Sequence, residues 1–158
     1  MQGSALALPV PDEAFDRAYS QNVIMNIADK PRFYREAFRA LKPGGMIALS
    51  NVCAGPGGPP YYPAPWATTA ETSFLAAPDA TRREIAAAGF EIRSFEDTTA
   101  ANLPAVLRHA ERLERDGLPS LGVHVILGER IREMQINSGR SNREGRIATI
   151  EVLARKPL

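Results

Sequence analysis

Phe15-Asp16-Arg17-Ala18-Tyr19 reads as a strand that leads into a polar cluster, Ser20-Gln21-Asn22, and then into Val23-Ile24-Met25-Asn26-Ile27 at the approach to a helix. Asp29 is placed to cap that helix, and Pro31 fits its first turn, where a missing N–H costs nothing. Tyr34, Ala37, Phe38 and Leu41 then fall at i, i+3, i+4 and i+7, an apolar stripe one helix face wide. Lys42-Pro43-Gly44-Gly45 stops the helix through ring constraint and glycine's tolerance of positive φ. Met46 to Val52 follows as a short apolar run suited to a buried parallel strand. The stretch from Phe15 to Ala54 is thus a strand, a helix and a returning parallel strand, the unit of a doubly wound α/β sheet. Ligands of such sheets sit beyond the carboxyl ends of the strands, which places Ser20-Gln21-Asn22 and Asn51-Val52-Cys53 beside a site.

Three segments carry a family resemblance: Leu8-Pro9-Val10-Pro11-Asp12-Glu13-Ala14-Phe15-Asp16, Ser20-Gln21-Asn22-Val23, and Leu41-Lys42-Pro43-Gly44-Gly45. In order and spacing they resemble the class I S-adenosylmethionine-dependent methyltransferases, over about Gly3 to Asp97 and more weakly to the end. The resemblance implies a Rossmann-like methyltransferase fold, S-adenosylmethionine as cofactor and a small-molecule acceptor. It also implies that Ser4, Ala5 and Leu6 line the adenine, and that Ser20, Gln21 and Asn22 meet the methionine portion and the transferring methyl. Asn26 lies in the run Gln21 to Ile27, which, with the Gly/Pro-rich loop that follows Ala54, is similar to N-methyltransferases of small amines and is assigned to the substrate side. The family's glycine-rich turn and its ribose-binding acid do not occur in this sequence. The chain therefore resembles the second half of such an enzyme, an amino-terminally incomplete single domain over residues 1–158. The missing half, or self-association through the first strand, is the expected protein partner.

A length of 158 residues and 44% hydrophobic content suit one compact core. Nineteen basic against 18 acidic side chains leave a net charge of +1, without the signature of a nucleic-acid binder. The single cysteine, Cys53, excludes an internal disulfide. No apolar stretch approaches the ~20 residues that cross a bilayer, and no secretion signal is evident, so the expected compartment is the cytoplasm.

From Ala54 to Trp66 the chain is too rich in Pro and Gly for helix or ladder pairing, and an ordered loop or lid is expected. Its glycines lack the Gly-Lys-Ser/Thr ending of a phosphate-cradling loop. Tyr61 and Trp66 are either aromatic walls of a substrate pocket or pins that fix the loop to the core. Helices are expected over Pro78 to Ala88, from Thr98 or Thr99 to a break at Asp116-Gly117, and through Val123, Ile126, Leu127, Ile131 and Met134 as far as Ser138-Gly139. Phe90 to Phe95 alternates as a half-buried strand, and Ile147 to Ala154 is the final strand, antiparallel to its neighbours. The expectation is about four strands with flanking helices.

His109 and His124 have no metal-ligand spacing to each other or to Cys53, so no metal site is expected. No Gly-x-Ser-x-Gly occurs, which disfavours a hydrolase. Methyl transfer from a sulfonium asks mainly for positioning in a dry site, so the lack of an evident acid–base pair does not count against it, and no catalytic residue is assigned. The rival readings are a non-catalytic Rossmann-like interaction domain and a nicotinamide oxidoreductase, the latter weakened by the absence of Gly-x-Gly-x-x-Gly.

Overall fold

A single mixed sheet carries the chain, in the order β1-β2-β4-β3. The computed structural model describes residues 2–122, 124–128 and 130–158; Val123 and the side chains of Ile126 and Leu127, part of the expected apolar stripe, lie outside the description. The strands are β1 (Phe15–Gln21), β2 (Leu41–Ala54), β3 (Glu91–Asp97) and β4 (Ile147–Arg155). The helices are α1 (Lys30–Ala40), α2 (Pro78–Ala87), α3 (Thr99–Asp116), the short α4 (His124–Leu127) and α5 (Ile131–Arg143). β1 runs parallel to β2, while β4 is antiparallel to both β2 and β3.

α1 forms for the reasons its sequence gives. Asp29 accepts a hydrogen bond from the Arg32 amide at 3.0 Å, and Pro31 sits in the first turn. Its apolar face buries Phe33, Tyr34 and Ala37 against Leu41, Ile47, Leu49 and Ile150 in the core. Ile85 of α2 and Phe90 close that core, and Phe38 meets the Phe90 ring edge-on with centroids 5.1 Å apart. The residues read as a helix stop, Lys42 to Gly45, already belong to β2, because the helix ends at Ala40 and Leu41 pairs with Phe15.

β2 is not buried on both sides. Ile47, Leu49, Asn51 and Cys53 face the core, whereas Ala48 is exposed and Met46, Ser50 and Val52 are only half-buried. β4 alternates likewise, with Ile150, Val152 and Ala154 inside and Glu151 and Leu153 outside. Ala48, Ser50, Ser94, Glu96, Glu151 and Leu153 line an open depression of about 380 Å³ on that outer face. The run Met46 to Val52 read as fully buried because Ala and Ser are compatible with either environment. β1 lies at the sheet edge, and Tyr19 is 83% exposed.

α5 passes through Ser138-Gly139 and ends at Arg143, beyond the expected stop. Gly139 is buried against α3, where an added Cβ would stand 2.6 Å from the Ala110 Cβ. It permits close helix approach and does not break the helix.

Candidate functional site

β1 ends in a sharp change of direction. Asn22 adopts φ 52°, a left-handed conformation that Asn tolerates better than most residues, and its amide donates to the Ser50 carbonyl at 2.8 Å. The turn Ile24–Asn26 follows, and Asn51 of β2 holds it by accepting from the Met25 amide at 3.2 Å. The end of β1 and the turn after it are therefore tied to β2 through two hydrogen bonds.

The loop after β2 closes over this space and is fastened at both ends. Gly55 and Gly57 donate backbone hydrogen bonds to Arg146 and Gly145, at 2.9 and 2.8 Å. Asn137 on α5 donates to the Pro63 carbonyl at 3.0 Å. Nearer the site, the Asn26 side chain donates to the Trp66 carbonyl at 2.6 Å, and the Trp66 indole donates to Ser73 Oγ at 2.9 Å. Lys30, buried at the start of α1, donates to the carbonyls of Ile27 and Phe74, and burial lowers its pKa. The expected ordered loop is present, held by hydrogen bonds to three separate elements.

Two cavities take up neighbouring residues at the end of β1. One, of about 430 Å³, is lined by Asn22, Asn26, Val52, Trp66, Gln135 and Ser138. The other is a groove of about 760 Å³ between β1, α1 and the amino-terminal segment; Ala5, Ser20 and Gln21 lie along it, with an apolar wall that includes Phe33 and Ala37. Ser20 Oγ is buried with no hydrogen-bond partner among the described residues, as are the Tyr34 hydroxyl and one Glu84 carboxylate oxygen.

The structure thus brings Ala5, Ser20 and Gln21 to one cavity and Asn22, Asn26 and Trp66 to the other. Ser4 turns its hydroxyl toward its own segment, accepting from the Leu6 amide at 3.2 Å, and Leu6 packs partly buried on the core, its carbonyl accepting from Arg32. Tyr61 is clamped instead. Its ring lies between the guanidinium groups of Arg140 and Arg146, 3.9 and 4.4 Å from the centroid, and its hydroxyl donates to Glu144 at 2.8 Å. Arg146 and then Tyr61 hold the Glu144 carboxyl down at about 2. Gln135 and Ser138 were not singled out from sequence. They share the cavity-facing side of α5 by helical spacing, a signal that becomes readable only once α5 is known to lie under the loop.

Cys53 is buried beneath α2, 3.9 Å from Thr81 Oγ1, and burial pushes its thiol up to about 11. It packs as a small core residue. No group of three or more potential metal-ligating side chains gathers among the described residues, and no described helix is long and apolar enough to cross a membrane.

The chain matches the family model described as a methyltransferase domain over residues 1–49. Across 98% of its length it superposes with a TM-score of 0.74 on a Haemonchus contortus phosphoethanolamine N-methyltransferase solved with phosphomonomethylethanolamine and S-adenosylhomocysteine, at 18% identity and 36% of that chain. The fold is that of the class I methyltransferases. The [4+2]-cyclase SpnF is also similar, with a TM-score of 0.70, 25% identity, and coverage of 99% of this chain and 56% of the other. Among sequence relatives, phosphoethanolamine N-methyltransferase of Triticum aestivum is 47% identical over 49 residues, 31% of this chain and 10% of that protein. A 27-O-demethylrifamycin SV methyltransferase of Amycolatopsis mediterranei is 29% identical over 118 residues, 70% of this chain and 42% of that protein. The matched region is well under two thirds of each relative's length.

Proposed function

We infer that this chain contributes the carboxyl-terminal sheet strands, the acceptor side and part of the cofactor side of an S-adenosylmethionine-dependent methyltransferase that acts on a small molecule. The observation that carries the reading is the position of Gln21 and Asn22. They are adjacent at the end of a methyltransferase-fold strand, and one lines the groove while the other lines the loop-covered cavity. A transfer reaction needs two ligands whose reacting atoms meet, and cavities lined by successive residues at a strand's carboxyl end suit that arrangement.

The groove residues fit their share of the cofactor. The apolar wall suits a flat aromatic base, and the unpaired Ser20 hydroxyl together with the Gln21 amide offers hydrogen bonds to polar groups of its amino-acid end. When bound, S-adenosylmethionine supplies a methyl group already activated on a sulfonium. The protein's own task is then to orient and to exclude water. Ala5, Ser20 and Gln21 hold the cofactor side, with Ser4 and Leu6 shaping the segment that carries Ala5. Asn22, Asn26 and Trp66 border the acceptor, and Tyr61 serves that side by fastening the loop that bears Trp66. We place this work in the cytoplasm, since the sole cysteine is a buried free thiol.

Ultraviolet cross-linking with methyl-labelled S-adenosylmethionine tests the reading on the 158-residue chain. Labelling that S-adenosylhomocysteine competes away, and that Ser20→Val weakens, is expected. Binding should be weak, because the sequence contains no glycine-rich cofactor turn. Labelling indifferent to S-adenosylhomocysteine would sink the proposal.

A further inference from the structure

The chemistry of the acceptor-side cavity narrows what enters it. Asn22, Asn26, Gln135 and Ser138 present amides and a hydroxyl, and the rest of the lining, Met25, Val52, Pro65 and Trp66, is apolar or aromatic. No charged side chain lines it among the described residues. Two cations near the end of α5 are committed elsewhere: Arg140 and Arg146 both donate to Glu144 and stack on Tyr61, and Arg146 also donates to the Pro59 carbonyl at 2.8 Å, while Arg143 lies 3.8 Å from Glu111. A phosphate dianion set against this half-open lining gives up part of its hydration and meets no compensating cation among the described residues. An ammonium group fares little better, because the lining offers one aromatic ring and no carboxylate. Neutral hydroxyl and carbonyl groups are matched, since amide side chains both donate and accept.

Resting on the methyltransferase reading above, we propose that this cavity selects an uncharged acceptor, an apolar body bearing hydroxyl or carbonyl groups, and discriminates against phosphorylated and cationic amines. The close match to the wheat phosphoethanolamine enzyme does not oppose this. The family match over residues 1–49 ends before Val52, Pro65, Trp66, Gln135 and Ser138, which make most of the lining. Five of the eight lining residues thus lie in a part of the sequence that this family match does not reach.

Trp66 is the only tryptophan, so its emission reports occupancy of this cavity without any other ligand. The 158-residue protein is titrated with 2-phenylethanol, 2-phenylethylamine and 2-phenylethyl phosphate, three probes with one body and three charges. The alcohol should shift Trp66 emission saturably at a concentration roughly tenfold or more below that needed by either charged probe, about 1.4 kcal/mol of discrimination. Ser138→Leu, which removes the hydroxyl and narrows the cavity, should weaken the alcohol response while the emission of the unliganded protein stays that of a folded chain. Equal or tighter binding of the phosphate or the amine overturns the proposal, as does an alcohol response unchanged by Ser138→Leu or the absence of saturation by all three. Cross-linking with methyl-labelled S-adenosylmethionine on the same sample separates the two ideas: charge discrimination together with labelling indifferent to S-adenosylhomocysteine keeps the cavity's preference and removes the methyl-transfer reading.

Discussion

The side-chain amide of Asn26 donates to the backbone carbonyl of Trp66 at 2.6 Å, tying the turn after β1 to the loop after β2 across forty positions of sequence. Asn26→Ala leaves that carbonyl to water or to nothing. Loss of one such hydrogen bond costs about 1 kcal/mol. The melting temperature should fall slightly, and acrylamide should quench Trp66 faster as the loop loosens. Unchanged quenching would show that the Trp66–Ser73 bond holds the indole alone.

Helices α3 and α5 touch through Gly139 and Ala110. A methyl group at position 139 would overlap the Ala110 Cβ, so Gly139→Ala should destabilise by ~1–3 kcal/mol despite alanine's better helix propensity. Ala110→Gly in the same protein should restore most of the loss. Chemical denaturation of the two single variants and the double variant measures the coupling, and simple additivity would refute the contact as its cause.

Asp29, Pro31 and the stripe of α1 were legible from sequence because capping and helical periodicity are local. The antiparallel β4 and the ordered Pro/Gly loop were legible as well. Gly139 was misread for the opposite reason: its partner Ala110 is on another helix, and a glycine that makes room is written the same way as one that ends a helix. Tyr61 posed the same difficulty. Its partners Arg140, Glu144 and Arg146 are some eighty residues away, so nothing near it in sequence told a pocket wall from an anchor. The outer face of β2 was illegible because Ala48 and Ser50 suit both solvent and a packed layer.

Acid should release the loop before it unfolds the core. The folded-state pKa of Glu144 is depressed to about 2, so its contribution is complete above the ordinary carboxylate value and is lost as pH falls from about 4.5 through about 2. Arg146, the first cause of the depression, and Tyr61 should lose their grip over that window. Tyrosine and Trp66 emission in an acid titration follows the release, and Glu144→Gln should flatten that limb. A limb that persists in the variant belongs to another carboxylate, of which Glu36 beside Arg39 is the first candidate.

Cys53 should resist thiol reagents in the folded protein. Its thiol is buried and its pKa is raised to about 11, so at pH 8 almost none is thiolate. Reaction with a chromogenic disulfide should be slow in buffer and fast in denaturant. Rapid native-state reaction would mean that α2 lifts away from β2.

The outer edge of β1 has no strand beside it among the described residues, and Tyr19 and Phe15 are exposed along it. Such an edge is a template for pairing with another chain. The Ala14 and Asn22 amides donate to β2 and its approach, so the amides of the odd-numbered residues between them face outward. Sedimentation of dilute protein should reveal concentration-dependent self-association, and Tyr19→Pro, which removes an outward-facing donor, should reduce it. A monomer at all micromolar concentrations would refute this.

The sheet's order has a consequence for biosynthesis. β3 is made before β4 but pairs only with it, and β2 likewise lacks its second neighbour until β4 exists. On the ribosome, β1, α1 and β2 can assemble as soon as they leave the exit tunnel, while β3 must wait, solvated and solitary, through the synthesis of α3, α4 and α5. Nascent-chain stalling anywhere in that interval would leave half a sheet with two unsatisfied margins, so this is the window in which a holding chaperone has something to bind.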